Sequence, residues 1–140
     1  MDYYPIFLKL KSQHCLVVGG GDVATRKVER LLAAEASITL VAMQLTPQLD
    51  QWRQEEKISV KQREFSSTDL YGKRLVIAAT ASSSLNQRIY AEAEATGVIA
   101  NAVDDPEYCR FITPAVIDRS PLVVAISSGG TAPVLSRMLR

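Results

Sequence analysis

The sequence predicts an α/β protein with a doubly wound parallel sheet, and three observations carry that prediction. Short apolar runs alternate with segments of helical period along most of the chain. One run, Leu75-Val76-Ile77-Ala78-Ala79, is apolar throughout, as strands buried on both faces are. A glycine-rich loop stands directly between the first apolar run and the first helical segment.

The elements follow in order. Cys15-Leu16-Val17-Val18 forms the first strand. Residues 23–34 form a helix, with Ala24, Val28, Leu31 and Leu32 on one stripe. Residues 37–41 give the second strand. Thr46 followed by Pro47 is an N-cap and first helical residue, opening a helix through Trp52. Ile58 to Val60 begins a third strand, and residues 75–79 make the fourth. The serines at 82–84 offer caps for a helix carrying Leu85, Ile89, Tyr90 and Ala93. Val98-Ile99-Ala100 is the fifth strand. After Asp105-Pro106 the pattern changes. Residues 111–117 and 122–126 read as two strands joined by Asp118-Arg119-Ser120-Pro121, too short a connector for a parallel pair. A helix over residues 133–139 follows. This divides the chain into a dinucleotide-fold domain, 1–110, and a different segment, 111–140. The chain stops inside that last helix, which predicts a longer parent.

Composition excludes several classes. The chain has 140 residues, 47% apolar and 22% charged, a globular balance for one domain. Sixteen Lys+Arg face fifteen Asp+Glu, for a net charge of +1, so no nucleic-acid partner is expected. The charge is uneven: residues 110–140 hold four arginines against Asp118 alone, which suits a small anionic ligand. No apolar run approaches the ~18 residues of a membrane helix, and the first residues lack a basic signal-peptide start. Cys15 and Cys109 make no metal or disulfide pattern, which predicts reduced thiols in the cytoplasm. His14 is the only histidine, so no permanent metal site is expected.

Three segments carry chemistry. The first is Val17-Val18-Gly19-Gly20-Gly21-Asp22-Val23-Ala24, a G-x-G-x-x-A match between strand and helix, the fingerprint of a Rossmann-type fold. Gly19 allows the tight turn, Gly21 lets backbone approach a pyrophosphate, and Ala24 permits close helix packing. The helix N-terminus supplies N–H groups and a positive dipole. The bland alternative is a glycine turn without ligand. The second strand ends Val41-Ala42-Met43-Gln44, with no acid for a ribose and no nearby Arg for a 2′-phosphate. That favours NAD over NADP. Asp22 has two readings, as a cap or as a cofactor contact through its backbone.

The second segment is Asn101-Ala102-Val103-Asp104-Asp105-Pro106, just beyond a strand end, where open α/β sheets bind ligands. Asp104 can accept a proton there; the alternative is turn chemistry before Pro106. The third is Ser127-Ser128-Gly129-Gly130-Thr131-Ala132-Pro133. Its N–H groups can bind carboxylates, or it is an ordinary capped turn. A phosphate on Ser128 would compete there with an anionic ligand.

These segments, with Pro5-Ile6-Phe7 and Ile117-Asp118-Arg119-Ser120-Pro121-Leu122-Val123-Val124-Ala125-Ile126, resemble the N-terminal module of siroheme synthase, the precorrin-2 dehydrogenase/sirohydrochlorin ferrochelatase family. The resemblance covers nearly all the chain and is most specific in its last stretch. It implies NAD-dependent oxidation of precorrin-2 to sirohydrochlorin, then insertion of Fe²⁺, a substrate, to give siroheme. It implies Asp104 as proton acceptor and in metal insertion, and NAD contacts at Asp22, Val23, Met43 and Gln44. It implies a homodimer built through residues 111–140 and, in bifunctional members, a methyltransferase module in the parent chain. The tetrapyrrole carboxylates would be received by Arg26, Lys27, Arg110, Arg119 and the loop of Ser127, Ser128, Gly129, Gly130 and Thr131. Solvated surface charge is the plainer reading of each cation. Two other classes compete: a nucleotide-sensing regulatory module, and a dimerisation fragment without activity.

Overall fold

The computed structural model describes residues 1–130. They fall into two compact units: Leu8–Arg110, and Met1–Phe7 together with the chain from Phe111 onward. Met1–Phe7 therefore groups with the second unit, although sequence reading assigns it to the first domain.

The larger unit is a parallel α/β sheet. Its strands are β1 (His14–Val18), β2 (Ser37–Val41), β3 (Ser59–Lys61), β4 (Leu75–Ala78) and β5 (Ile99–Ala102). Their order is β3-β2-β1-β4-β5, so the chain winds outward from β1 in both directions. Every pairing is parallel, with Cys15 opposite Ile38 on one side and Leu75 on the other. The helices are α1 (Asp22–Ala33), α2 (Pro47–Gln54) and α3 (Ser83–Thr96). Leu16, Val18, Val76, Ala78 and Ala100 gather with Ile89 and Ala93 of α3. Side chains alternate along a strand, so Cys15, Val17 and Ile77 face the other side. There α1, which packs on β1 and β2, brings Ala24, Val28 and Leu31.

The expected caps form. The Thr46 hydroxyl accepts from the Leu49 N–H with Pro47 as first helical residue, and the Ser82 hydroxyl accepts from the Leu85 N–H. Gly97 closes α3 at φ +76°, a left-handed position that favours glycine.

The smaller unit holds an antiparallel pair, β6 (Ala115–Arg119) and β7 (Leu122–Ile126). Two boundaries differ from expectation. Strand pairing starts at Ala115, because Pro114 has no N–H to offer a ladder. Asp118 and Arg119 lie in β6 rather than the connector, since Arg119 pairs with Leu122 across a Ser120-Pro121 turn. The Asp118 carboxylate holds that turn by accepting from the Ser120 N–H and hydroxyl at 3.1 and 2.8 Å. The expected helix at 133–139 lies outside the described residues.

Candidate active site

The loop after β1 contains three glycines with different duties. Gly19 sits at φ +127°, and a Cβ there would lie 2.3 Å from the Ala79 carbonyl oxygen. Its N–H donates to the Val41 carbonyl, clamping the loop to β2. At Gly20 a Cβ would lie 1.7 Å from the Gln44 carbonyl oxygen, while the Gly20 carbonyl accepts from the Thr46 N–H. Both positions are therefore glycine because protein backbone fills the space. Gly21 is the opposite: nothing lies within 4 Å of its Cβ position.

Gly21 is also the N-cap of α1, and no side chain caps that end. The first-turn N–H groups of a helix have no intrahelical partners. They stand beside open space at the positive end of the helix dipole, an arrangement that fits a pyrophosphate. Asp22 is the first helical residue and exposed, so its capping reading is corrected: the cap position belongs to Gly21.

This loop forms one side of a cleft of about 1000 Å³, at the upper end of ligand-pocket size (about 300–1,000 Å³). Val23, Met43 and Gln44 line it with the glycines, as do Thr80 and Ser82 beyond β4. The Thr25 and Thr46 hydroxyls, 2.8 Å apart, tie α1 to the loop before α2. Asn86 holds the opposite side by accepting from the Thr80 hydroxyl at 2.6 Å. A ring of backbone and side-chain bonds thus fixes the cleft between the carboxyl ends of β1, β2 and β4. That is where a dinucleotide spans a sheet of this winding.

A third side escaped sequence reading. Arg63, Phe65 and Arg88 line the cleft, and the Arg88 guanidinium lies 5.5 Å from the Phe65 ring centroid. The absence of a nearby Arg, read from the end of β2, is corrected: Arg63 arrives from beyond β3. The usable signal was its position two residues past a parallel strand's carboxyl end. Its guanidinium is engaged by Asp69 on two nitrogens, at 2.9 and 2.6 Å.

Asp104 lies outside that cleft lining, two residues past β5. It is exposed and held at φ +62°, a left-handed conformation costly for a residue with a side chain. Its neighbour Asp105 shapes the turn. The Asp105 carboxylate accepts from Gln87, and its carbonyl accepts from the Tyr108 N–H and the Cys109 thiol. The turn reading therefore holds for both acids: Asp104 is a central residue of the turn that the Asp105 N–H closes on the Ala102 carbonyl, and it is exposed there. Lys27 of α1 is electrostatically coupled to Asp104. Burial, then Arg30, pulls the Lys27 ammonium below its ordinary range, against the opposing pull of Asp104. Burial pushes the Cys109 thiol up, so it is not a ready thiolate. Arg110 pairs with Glu94 through two nitrogens, which leaves it less available to a substrate carboxylate. Arg26 is exposed.

The second glycine loop belongs to the smaller unit. The Ser127 hydroxyl accepts from the Gly129 N–H at 3.0 Å, so one expected carboxylate donor is already used. Gly129 and Gly130 take φ +66° and +90°. Ser128 is half-buried and Thr131 lies outside the described residues. Arg119 donates to the Asp118 carbonyl at the end of β6. Among the described residues, no group of three or more His, Cys, Asp and Glu gathers as a metal site, and no helix is long and apolar enough to cross a membrane.

Known proteins match this architecture. A family model described as NAD(P)-binding matches residues 6–115. Siroheme synthase 1 of Serratia proteamaculans is 54% identical over 140 residues, all of this chain and 29% of that protein. The siroheme synthases of Nitrosococcus oceani and Chromobacterium violaceum are 51% and 48% identical, again over the whole chain. The chain spans 30% of the length of these last two relatives. Among solved structures, SirC, a precorrin-2 dehydrogenase, superposes with a TM-score of 0.85 at 28% identity, covering 98% of this chain and 67% of that one. A glycine loop open only at Gly21, a cleft across the strand ends and the family match over residues 6–115 lead to one conclusion: the chain belongs to the NAD(P)-binding family.

Proposed function

We propose that this module oxidises precorrin-2 to sirohydrochlorin with NAD⁺ bound in the cleft. The observation that carries the reading is an exposed carboxylate, Asp104, held at φ +62° at the end of β5, in the same unit as the open glycine loop. NAD⁺ supplies a hydride acceptor. The N–H groups of Asp22 and Val23 hold its phosphates, and Met43 and Gln44 flank its adenosine half. Asp104 takes the proton that substrate must lose alongside the hydride; a solvent-facing carboxylate can pass it on to water. Lys27, beside it, offers a cation to a substrate carboxylate. Arg26, Arg119 and the loop of Ser127, Ser128, Gly129, Gly130 and Thr131 are further receivers for the tetrapyrrole's acid groups, and phosphate on Ser128 would oppose them.

Fe²⁺ insertion into the product belongs to the same reading, with iron as substrate and Asp104 taking pyrrole protons. The exposed apolar strand β7 supports a homodimer, because a lone antiparallel pair buries too little of its own surface. The length of the relatives supports a longer parent chain, and a methyltransferase module in it is what the family resemblance implies. The two free cysteines fit a reducing cytoplasm.

The test is anaerobic. Protein, precorrin-2 and NAD⁺ are mixed, and NADH and sirohydrochlorin are followed by absorption, with Asp104→Ala in parallel. Both products should form with the wild type. The variant should bind NAD⁺ normally and turn over about 10²–10⁴-fold more slowly. Equal turnover by Asp104→Ala would remove Asp104 from the chemistry, and no turnover by the wild type would reject the reading.

A further inference from the structure

Asp69 has the most buried carboxylate among the salt bridges of the described residues, with its side chain 1% exposed, and it lies outside the cleft lining. It accepts two bonds from Arg63, one from the Ser66 N–H at 2.8 Å, and lies 3.6 Å from the Lys61 ammonium. Burial pushes this carboxyl up, but the Arg63 and Ser66 hydrogen bonds outweigh burial and hold it below the usual range. It is therefore a fixed anion whose chief partner is an arginine on the cleft wall.

The same stretch is tied to the adenosine end of the cleft. Gln62 donates to the Met43 carbonyl at 3.1 Å, and the Ala42 N–H donates to the Lys61 carbonyl. Arg63 thus stands across from the residues that follow β2. Its Nη1 donates to both Asp69 and the Glu64 carbonyl, and its Nη2 donates to Asp69. Three of the five guanidinium N–H donors are thus committed to protein acceptors, which favours the planar face over the edge as the surface offered to a ligand. Arginine planes stack on aromatic rings and nucleobases, whereas phosphate recognition uses the edge.

We infer that Arg63 is the stacking platform for the adenine of the dinucleotide, and that Asp69 is the positioning residue that locks it. The inference rests on the dinucleotide reading of the cleft and adds a residue pair to it. It also gives a reason for NAD over NADP: the Asp69 carboxylate already neutralises the Arg63 cation that a 2′-phosphate would seek.

The experiment measures binding of NAD⁺, NADP⁺, AMP and nicotinamide mononucleotide by calorimetry. The proteins are the wild type, Arg63→Lys, Arg63→Ala and Asp69→Asn, each checked by thermal melting. Arg63→Lys is the informative variant, because it keeps a cation beside Asp69 and removes the plane. NAD⁺ and AMP should bind about tenfold more weakly to Arg63→Lys and Arg63→Ala, with nicotinamide mononucleotide unchanged. Asp69→Asn should show the same split between the two halves of the cofactor. Wild-type affinity for AMP in Arg63→Lys would overturn the stacking role, as would a wild-type preference for NADP⁺ that Arg63→Ala abolishes. Equal weakening of both half-cofactors would reduce the pair to a structural one and overturn the inference. A wild type that binds no dinucleotide overturns this inference and the reading beneath it; failure confined to the variants leaves that reading standing.

Discussion

Strands β4 and β7 have almost the same composition and opposite surroundings. β4 reads Leu75-Val76-Ile77-Ala78 and is buried along its whole length, between β1 and β5. β7 reads Leu122-Val123-Val124-Ala125-Ile126, pairs only with β6 among the described residues, and is exposed at its first four positions. Leu122, Val123 and Val124 are 65%, 41% and 37% exposed, whereas Val76 is 0% exposed. The difference teaches that apolar pattern specifies a strand but not what covers it. The larger unit supplies its own cover from α1 and α3. The smaller one presents apolar surface of the kind that marks an interaction site.

The largest effect expected is at β4. Val76→Asp places an unpaired charge in the core, costs more than about 4 kcal/mol and leaves no folded protein by circular dichroism. Val124→Asp on β7 should leave the melting of the Leu8–Arg110 unit within about 0.5 kcal/mol of wild type, while converting the proposed dimer to monomer in sedimentation. If both variants unfold alike, the contrast between the strands is wrong.

Next comes a pH effect confined to the buried sheet. Burial pushes the Cys15 thiol up to about 11, while an unfolded thiol ionises near its usual value. The folded state thus keeps a proton that the unfolded state releases. Stability is fully present below the unfolded value and falls between about pH 9 and 11, by about 2–3 kcal/mol. Denaturant titrations across that range should show the slope, and Cys15→Ala should remove it.

The two glycine loops extend the comparison. Gly20→Ala must push Cβ against the Gln44 backbone and should cost about 1–3 kcal/mol. Gly129→Ala, in the smaller unit, meets only the edge of the Tyr3 ring at 3.5 Å, and its cost should be about 1 kcal/mol of left-handed strain. Smallest is Asp104→Gly. It relieves the same kind of strain and should gain about 0.5–1 kcal/mol in thermal unfolding, while slowing turnover about as much as Asp104→Ala does. A loss of stability there would contradict the claim that Asp104 is held at a cost.

Much of the larger unit was legible because its signals are local. Residues 37–41 and 75–78, the Thr46 and Ser82 caps and the Gly19–Gly21 loop each follow from propensity, capping and period. The family resemblance was legible in the same stretches. What escaped depends on distant contacts. The clash of Gly20 with Gln44 needs β1 and β2 side by side. Arg63 reaches the cleft only because β3 lies beyond β2, a fact of strand order rather than of sequence spacing. The separate duties of Asp104 and Asp105 turn on one backbone angle and on Gln87 from α3. Pro114 gave a signal that outweighed the apolar pattern around it, and it moved the start of β6 to Ala115.

The most direct measurement is a calorimetric titration of NAD⁺ into wild type and Gly21→Ala, with thermal melts of both. Gly21 has open space where its neighbours meet backbone, so its Cβ would enter only the space proposed for the phosphate. Melts within about 0.5 kcal/mol of each other are expected, with NAD⁺ binding weakened at least tenfold in the variant. Unchanged NAD⁺ affinity in Gly21→Ala would contradict a phosphate site at this loop.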